Sequence, residues 1–356
     1  MLTIREITDK STWEAFVENY PTKTFLHSWN WAEFNQQIED EVVRLGLYEG
    51  EAEQNPSESE APAKTEKGKK LVGAALIIKV RARRGSFLFC PHGPLLNWSK
   101  KDHFKALVEY LKKLAREEKF DFIRISPLIL NNEENKATFK KQGFRPAPMH
   151  MHAEVTWTLD LGPSEEELLK NMRKNTRYYV RRAEKDGVTV EISKDLKDVE
   201  AFNKLYSETK DRHNFVPFSL NYLQKQFKSF SNDDQIAVFK ALYNNKVVAS
   251  SIIVFYADGA YYHHGASTHK YPKIPAPYLI KWEEICEAKR RGKKIYNFWG
   301  IAPTDDKKHP FHGITTFKTG FGGERTDYLH AQDLAVTWKY WLNWLVESFR
   351  RIKRGF

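Results

Sequence analysis

APYLIKWEEICEAKRRGKKIYNFWGIAPTDDKKHPFHGITTFKTGFGGE, residues 276–324, reads as a long helix, a buried strand (KIYNFWGI), a short loop and a glycine-rich close. The same order stands earlier in the chain, where FKALVEYLKKLAREEK is followed by FDFIRISPLI and then FKKQGF at residues 139–144. A strand pair precedes each copy: LVGAALIIKV with SFLFCPHGPLL, and KVVASSIIVFYADG with AYYHHGAST. Self-similarity on this scale implies one fold used twice. Two packed copies are expected to leave a cleft for a large substrate.

The 356 residues exceed what one core ordinarily organises, so two domains are expected. The first spans residues 1–152 and the second 153–329, with 330–356 returning to the first as a strand and a helix. Strands alternate with helices, which argues for a mixed α/β (α+β) sandwich in each. A first helix is expected from about Lys10, Ser28 is placed to cap SWNWAEFNQQI, and Ser164 with Glu167 has the form of a capping box. Residues 50–70, rich in Glu, Lys, Pro and Ser without an apolar anchor, read as a mobile hairpin loop.

Residues 1–10 lack an apolar leader core, and no apolar run reaches bilayer length, so a cytoplasmic protein is expected. Cys90 and Cys286, flanked by apolar residues, read as buried thiols rather than a disulfide or metal site. The net charge of +11 calls for a polyanionic partner: nucleic acid, phosphate or a membrane surface.

Two segments can carry chemistry. RKNTRYYVRRAEK sets Arg173, Arg177 and Arg181 on one helical row and Lys174, Tyr178 and Arg182 on the next, a stripe suited to RNA phosphates or to plain solvation. FKTGFGGE supplies Lys318 as a cation for a developing oxyanion or a phosphate. Its Gly322 and Gly323 allow unusual backbone and close substrate approach; the bland alternative is a glycine turn with a surface lysine. His263 and His264 are neighbours on a strand, so at most one faces the cleft and they form no paired metal site. The chain has no HExxH, CxxC, GxGxxG or P-loop pattern. The helix TWKYWLNWLVESFRRIKRGF lines up Trp338, Trp341, Leu342, Leu345, Phe349 and Ile352, followed by Arg350, Arg351, Lys353 and Arg354. That face either packs on the first domain or lies on an anionic membrane, and packing is the expectation taken here.

On SWNWAEF, FLFCPHGPLL, RKNTRYYVRRAEKDGVTVE, ETKDRHNF, YYHHGAS and above all YLIKWEEICEAKRRGKKIYNFWGI with ITTFKTGFGGE, the chain resembles the Fem family of peptidoglycan-bridge aminoacyltransferases. It is similar to the shorter members that lack a coiled-coil arm. The resemblance implies two tandem GNAT-like domains with mixed sheets, acting as a monomer, peripheral to the membrane at most. It implies transfer of an amino acid from aminoacyl-tRNA to an amine of the stem peptide on lipid II or UDP-MurNAc-peptide, with no cofactor or metal. Phe317 and Lys318 match the family's functional Phe-Lys pair, and Arg212 an arginine that binds the acceptor diphosphate. Arg173, Arg177, Arg181 and Arg182 are the residues expected to hold tRNA. The chain departs from the family at Glu33, where some members have lysine, and at His263, where a tyrosine is expected to meet the acceptor. An acyl-CoA-dependent N-acyltransferase and a non-catalytic nucleic-acid or membrane-binding protein are the competing readings.

Overall fold

Alternating apolar residues along the first strands decide which face each side chain meets, and the sheets follow from that period of two. The computed structural model describes residues 1–50, 69–82, 85–213 and 217–354, in two units: Met1–His152 with Tyr328–Phe356, and Ala153–Asp327. Most of the segment expected as a mobile hairpin loop lies outside the described residues.

The first unit begins β1 (Leu2–Glu6), α1 (Lys10–Glu18), α2 (Trp29–Gln37), β2 (Glu41–Glu49), β3 (Lys70–Val80) and β4 (Phe87–His92). It continues with β5 (Leu95–Leu96), α3 (Lys101–Glu117), β6 (Phe122–Pro127), α4 (Glu133–Lys141) and β7 (Arg145–Pro146). Asp9 starts α1 by accepting the Thr12 N–H at 2.7 Å, and Ser28 Oγ starts α2 by accepting that of Trp31 at 3.0 Å. β1 to β4 pair antiparallel in sequence. β4 and β6 pair parallel, which a tight turn cannot do, so α3 makes the crossover.

The second unit holds β8 (Val155–Asp160), α5 (Glu165–Asn171), α6 (Lys174–Lys185), β9 (Thr189–Ser193), α7 (Lys197–His213), α8 (Leu220–Ser231) and β10 (Ile236–Tyr243). Then come β11 (Lys246–Tyr256), β12 (Gly259–Ser267), α9 (Ala276–Arg290), β13 (Ile295–Gly300), α10 (His312–Thr319) and β14 (Glu324–Asp327). The capping box at Ser164 and Glu167 is present. Its sheet runs β14-β8-β13-β12-β11-β10-β9, and again one parallel pair, β12 with β13, is joined by a helix, α9.

The chain then returns to the first unit as β15 (Gln332–Ala335) and α11 (Tyr340–Arg354). β15 pairs antiparallel with β6 and with β7, giving the order β1-β2-β3-β4-β6-β15-β7 with β5 beside β3. β15 and β7 therefore stand beside β6 as β8 and β14 stand beside β13. The repeat is topological as well as sequential, with its outer pair supplied partly by the C-terminal segment in the first unit.

Parity splits the first core. Leu88, Cys90, Ile123 and Ile125 meet α3 and α4, where Phe104 and Phe139 pack with ring centroids 4.7 Å apart. Phe87, Phe89 and Phe122 face the other way, against Tyr340 and Trp344 of α11. Arg124 shares that second face and is 2% exposed. It forms a fork with Asp333 at 2.7 and 2.8 Å and reaches Glu347 of α11 at 2.7 Å, tying the returning segment to β6.

The helix α11 does pack on the first unit, but the expected face is the wrong one. Tyr340, Asn343, Trp344 and Glu347 turn inward, whereas Trp338, Trp341, Leu342, Leu345, Phe349 and Ile352 are exposed. The buried acid decided the orientation: Glu347 has to meet Arg124, and that rotates the larger apolar stripe outward.

Cys90 and Cys286 are free, buried thiols pushed up by desolvation, as the sequence leads one to expect. Burial also keeps three histidines neutral, His27, His152 and His264. His27 Nδ1 accepts the Thr24 N–H at 3.0 Å while Nε2 meets the His92 carbonyl at 3.0 Å, and burial brings its pKa to about 4. His152 is held at about 4 and His264 at about 3, also by burial. All three folded values lie below the ordinary imidazole range, so the unfolded chain binds more protons there and stability falls as pH falls below about 6.5. Between pH 6.5 and 5.5, where few carboxylates titrate, each is expected to remove about 1 kcal/mol. Thermal melts across that window check this; His264→Gln should flatten the slope, and an unchanged slope would refute the assignment.

Candidate active site

The helix α9 is buried almost all round, with Leu279, Ile280, Trp282, Ile285 and Ala288 in the core of the second unit. Two charged residues one turn apart break that apolar surface. Lys281 and Glu284 are 1% and 0% exposed and pair at 2.5 Å. Burial at this cost persists only where the partners are satisfied. Glu284 also accepts the hydroxyls of Ser251 on β11 and Tyr296 on β13, and the Lys281 ammonium lies 3.0 Å from the Tyr262 ring centroid. Burial lowers Lys281 to about 8 against the opposing pull of Glu284.

Lys318 belongs to the same neighbourhood. It is a residue of α10, 6% exposed, and its amine donates to the Gly300 carbonyl at 2.6 Å. Burial, with the Lys281 charge adding, brings its pKa down to about 7. The surface lysine of the bland reading is therefore replaced by a desolvated one. The Gly300 carbonyl is available because β13 breaks: Trp299 adopts φ 65°, its N–H turns to Asn297 Oδ1 at 2.7 Å, and pairing with β8 shifts register there. Left-handed backbone at a bulky residue costs about 1–3 kcal/mol, and such strain tends to cluster at functional sites. Phe317 packs its ring on Tyr278 and Phe321, with centroids 5.0 and 5.3 Å away, which fixes the helix turn that aims Lys318 inward.

The glycines after Lys318 have folding reasons. Gly322 and Gly323 have φ of 87° and 100°, and a Cβ on Gly323 would sit 2.4 Å from the Thr158 carbonyl oxygen of β8. Trp157 Nε1 donates to the Gly322 carbonyl at 2.6 Å, locking the turn on β8.

The strand β12 corrects the expected alternation. Tyr262 registers with Ile253 and His264 with Ile252, so a bulge falls at His263. His263 and His264 consequently lie on the same side, with ring centroids 4.0 Å apart. Gln226 of α8 meets both, its Nε2 2.8 Å from His263 Nε2 and its Oε1 3.0 Å from His264 Nε2. Tyr262 faces the Lys281 side instead.

The stripe on α6 is partly structural. Arg173, the residue before the helix, donates to the Thr316 carbonyl at 3.1 Å and to Thr319 Oγ1 at 3.0 Å, both on α10. Arg177 donates to the carbonyls of Leu169 and Lys170 at 3.3 and 2.7 Å. Arg181 is exposed, and Arg182 pairs with Asp186 at 3.3 Å. Arg182 and Tyr179 line an open cavity of about 630 Å³ with the end of β12, the β12–α9 connection and the first turn of α9. Arg212 falls in the last turn of α7, and its side chain lies outside the described residues. In the first unit Glu33 accepts the Trp29 indole N–H at 2.9 Å, beside Arg44, whose guanidinium covers the Trp29 ring at 3.5 Å. An acid at position 33 is thus matched to a buried arginine nearby.

Sequence reasoning missed Lys281, Glu284, Tyr262 and Trp299. A Lys and a Glu at a three-residue spacing inside an otherwise apolar helix were the available signal; the left-handed Trp299 left none.

Two sheets, each with one parallel pair bridged by a helix, define a tandem GNAT-type fold. A tandem GNAT protein from the clavulanic acid biosynthesis pathway superposes with a TM-score of 0.55 at 9% identity, covering 94% of this chain and 99% of that one. FemX superposes more fully, with a TM-score of 0.80 at 17% identity over 97% of this chain and all of that one. The sequence matches the model of the FemAB family at residues 8–143, 135–242 and 233–347, and the chain belongs to that family. Among its relatives are proteins named lipid II:glycine glycyltransferase from Staphylococcus haemolyticus (22% identical) and Staphylococcus aureus (20% identical), each alignment covering 87% of both chains.

Proposed function

We propose that the protein transfers an amino acid from aminoacyl-tRNA to an amine of a peptidoglycan-precursor stem peptide. The observation that carries this is the match to the FemAB family over nearly the whole chain, with relatives named for glycyl transfer to lipid II. The amine attacks the ester carbonyl carbon, the C–N bond forms, and charge builds on the carbonyl oxygen. Lys318, with Phe317 holding its turn, supplies a cation for that oxygen in a site where water does not screen it. The ester C–O bond then breaks, the ribose oxygen takes a proton and the amine gives one up. Freeing a lysine-like amine at pH 7 costs about 4.6 kcal/mol, part of which nearby cations recover. His263 and the Gly322–Gly323 backbone are assigned to acceptor contact, and Arg212 to its diphosphate.

Arg181 and Arg182 are assigned to the tRNA backbone, with the cavity beside Arg182 and Tyr179 taking the donor's end. Because Arg173 and Arg177 hold carbonyls, the test uses the exposed member of the assigned pair: Arg181→Glu should lower the salt slope of tRNA binding by about 1 and leave acceptor affinity unchanged. Identical slopes would remove the stripe from the donor site. Against acyl-CoA, the β12–α9 connection, residues 268–275, holds Pro272 and Pro275 and no glycine. It therefore offers fewer backbone N–H groups than a pyrophosphate loop needs. Mass spectrometry of an acceptor muropeptide after incubation with aminoacyl-tRNA or acyl-CoA separates the two readings.

A further inference from the structure

The helix α11 leaves its apolar stripe in solvent: Leu345, Phe349 and Ile352 are 59%, 70% and 74% exposed, beside Trp338, Trp341 and Leu342. At about 100° per residue the five positions from Trp341 to Ile352 fall within about a third of the circumference of α11, and Trp338 stands in the turn just before it. Tyr340, Asn343, Trp344 and Glu347, which pack on the first unit, occupy the opposite side. Arg350 and Lys353 border one edge of the stripe, both exposed, and the exposed Lys339 precedes the helix. The helix's one acid, Glu347, is turned inward onto Arg124. An exposed patch of this size does not persist on a soluble surface without a use.

We infer that this face seats the protein on an anionic lipid bilayer, the apolar stripe entering the headgroup boundary while the basic edge meets lipid phosphates. Charge decides the occupant. Two copies meeting antiparallel through this face would bring cations against cations, whereas a bilayer bearing acidic lipids complements the basic edge. Tryptophan at the start of the stripe suits the water–lipid boundary, and among the described residues no helix is long and apolar enough to cross a membrane. The helix therefore lies along the surface. The inference does not depend on the transfer reaction, since binding is read without substrates. If the acceptor is lipid-borne, docking brings enzyme and acceptor to the same plane.

Co-sedimentation of the full chain with vesicles of phosphatidylcholine alone, or of equimolar phosphatidylcholine and phosphatidylglycerol, tests it. Binding to the anionic vesicles is expected to be at least tenfold tighter than to the neutral ones and to weaken with salt. Leu345→Ser/Phe349→Ser/Ile352→Ser and, separately, Arg350→Glu/Lys353→Glu should each lose at least tenfold. Because these side chains are exposed, circular dichroism and melting should be unchanged. Vesicle binding that survives both variants, or no binding by the wild type, overturns the inference. So does sedimentation velocity showing a dimer that the serine variant makes monomeric, since the stripe would then be a self-interface.

Discussion

Replacing Lys318 by alanine is expected to lower kcat at least tenfold, toward the ~10²–10³-fold that loss of one oxyanion donor costs, with the fold intact. The amine is buried on the Gly300 carbonyl, so its removal takes away a cation held where charge develops. Its pKa of about 7 gives the prediction a second readout. A group required as an ammonium loses its proton as pH rises, so the ratio of wild-type to Lys318→Ala kcat/KM should fall as pH rises through about 7. A rising limb at that pH, abolished by the substitution, would make Lys318 a base and contradict the oxyanion role. Substrate affinity should change little, which separates this variant from one that disturbs binding.

The second large effect is on stability. Arg124→Met leaves Asp333, which is fully buried, and Glu347 without their cation, and uncompensated buried charge costs about 3–5 kcal/mol. The first unit should then melt roughly 10 °C lower. Arg124→Met/Asp333→Leu should recover much of the loss, because the stranded charge is gone. A single variant that melts like wild type would show that the fork does not fasten β15 and α11 to the sheet.

These residues also show where sequence reasoning reaches. The duplicated order of strand, helix and strand was visible because both buried strands and both crossover helices keep their periodicity, and the capping residues Ser28 and Ser164 mark helix starts by local chemistry alone. The return of residues 332–335 and 340–354 to the first unit was legible too. The orientation of α11 was not. Its outward stripe is the more apolar of its two faces, and only the pairing of Glu347 with Arg124, 223 residues away in sequence, shows which side turns inward. The bulge at His263 was equally silent, since it depends on register between β11 and β12 rather than on composition. In the site, the FKTGFGG motif located Lys318, but its burial came from elements elsewhere in the chain: the left-handed turn at Trp299 and the Lys281–Glu284 pair.

Together these features describe a desolvated cation beside a strained strand end in a tandem acyltransferase fold, and the account assigns it to aminoacyl transfer. The most direct measurement is a reaction of the purified protein with radiolabelled aminoacyl-tRNA and a stem-peptide acceptor, offered both as lipid II and as UDP-MurNAc-peptide. The account predicts an acceptor heavier by one aminoacyl residue, deacylated tRNA in equal amount, and both products forming at least tenfold more slowly with Lys318→Ala. An unmodified acceptor in both forms, with label staying on the tRNA while acyl-CoA does acylate an amine, would contradict it.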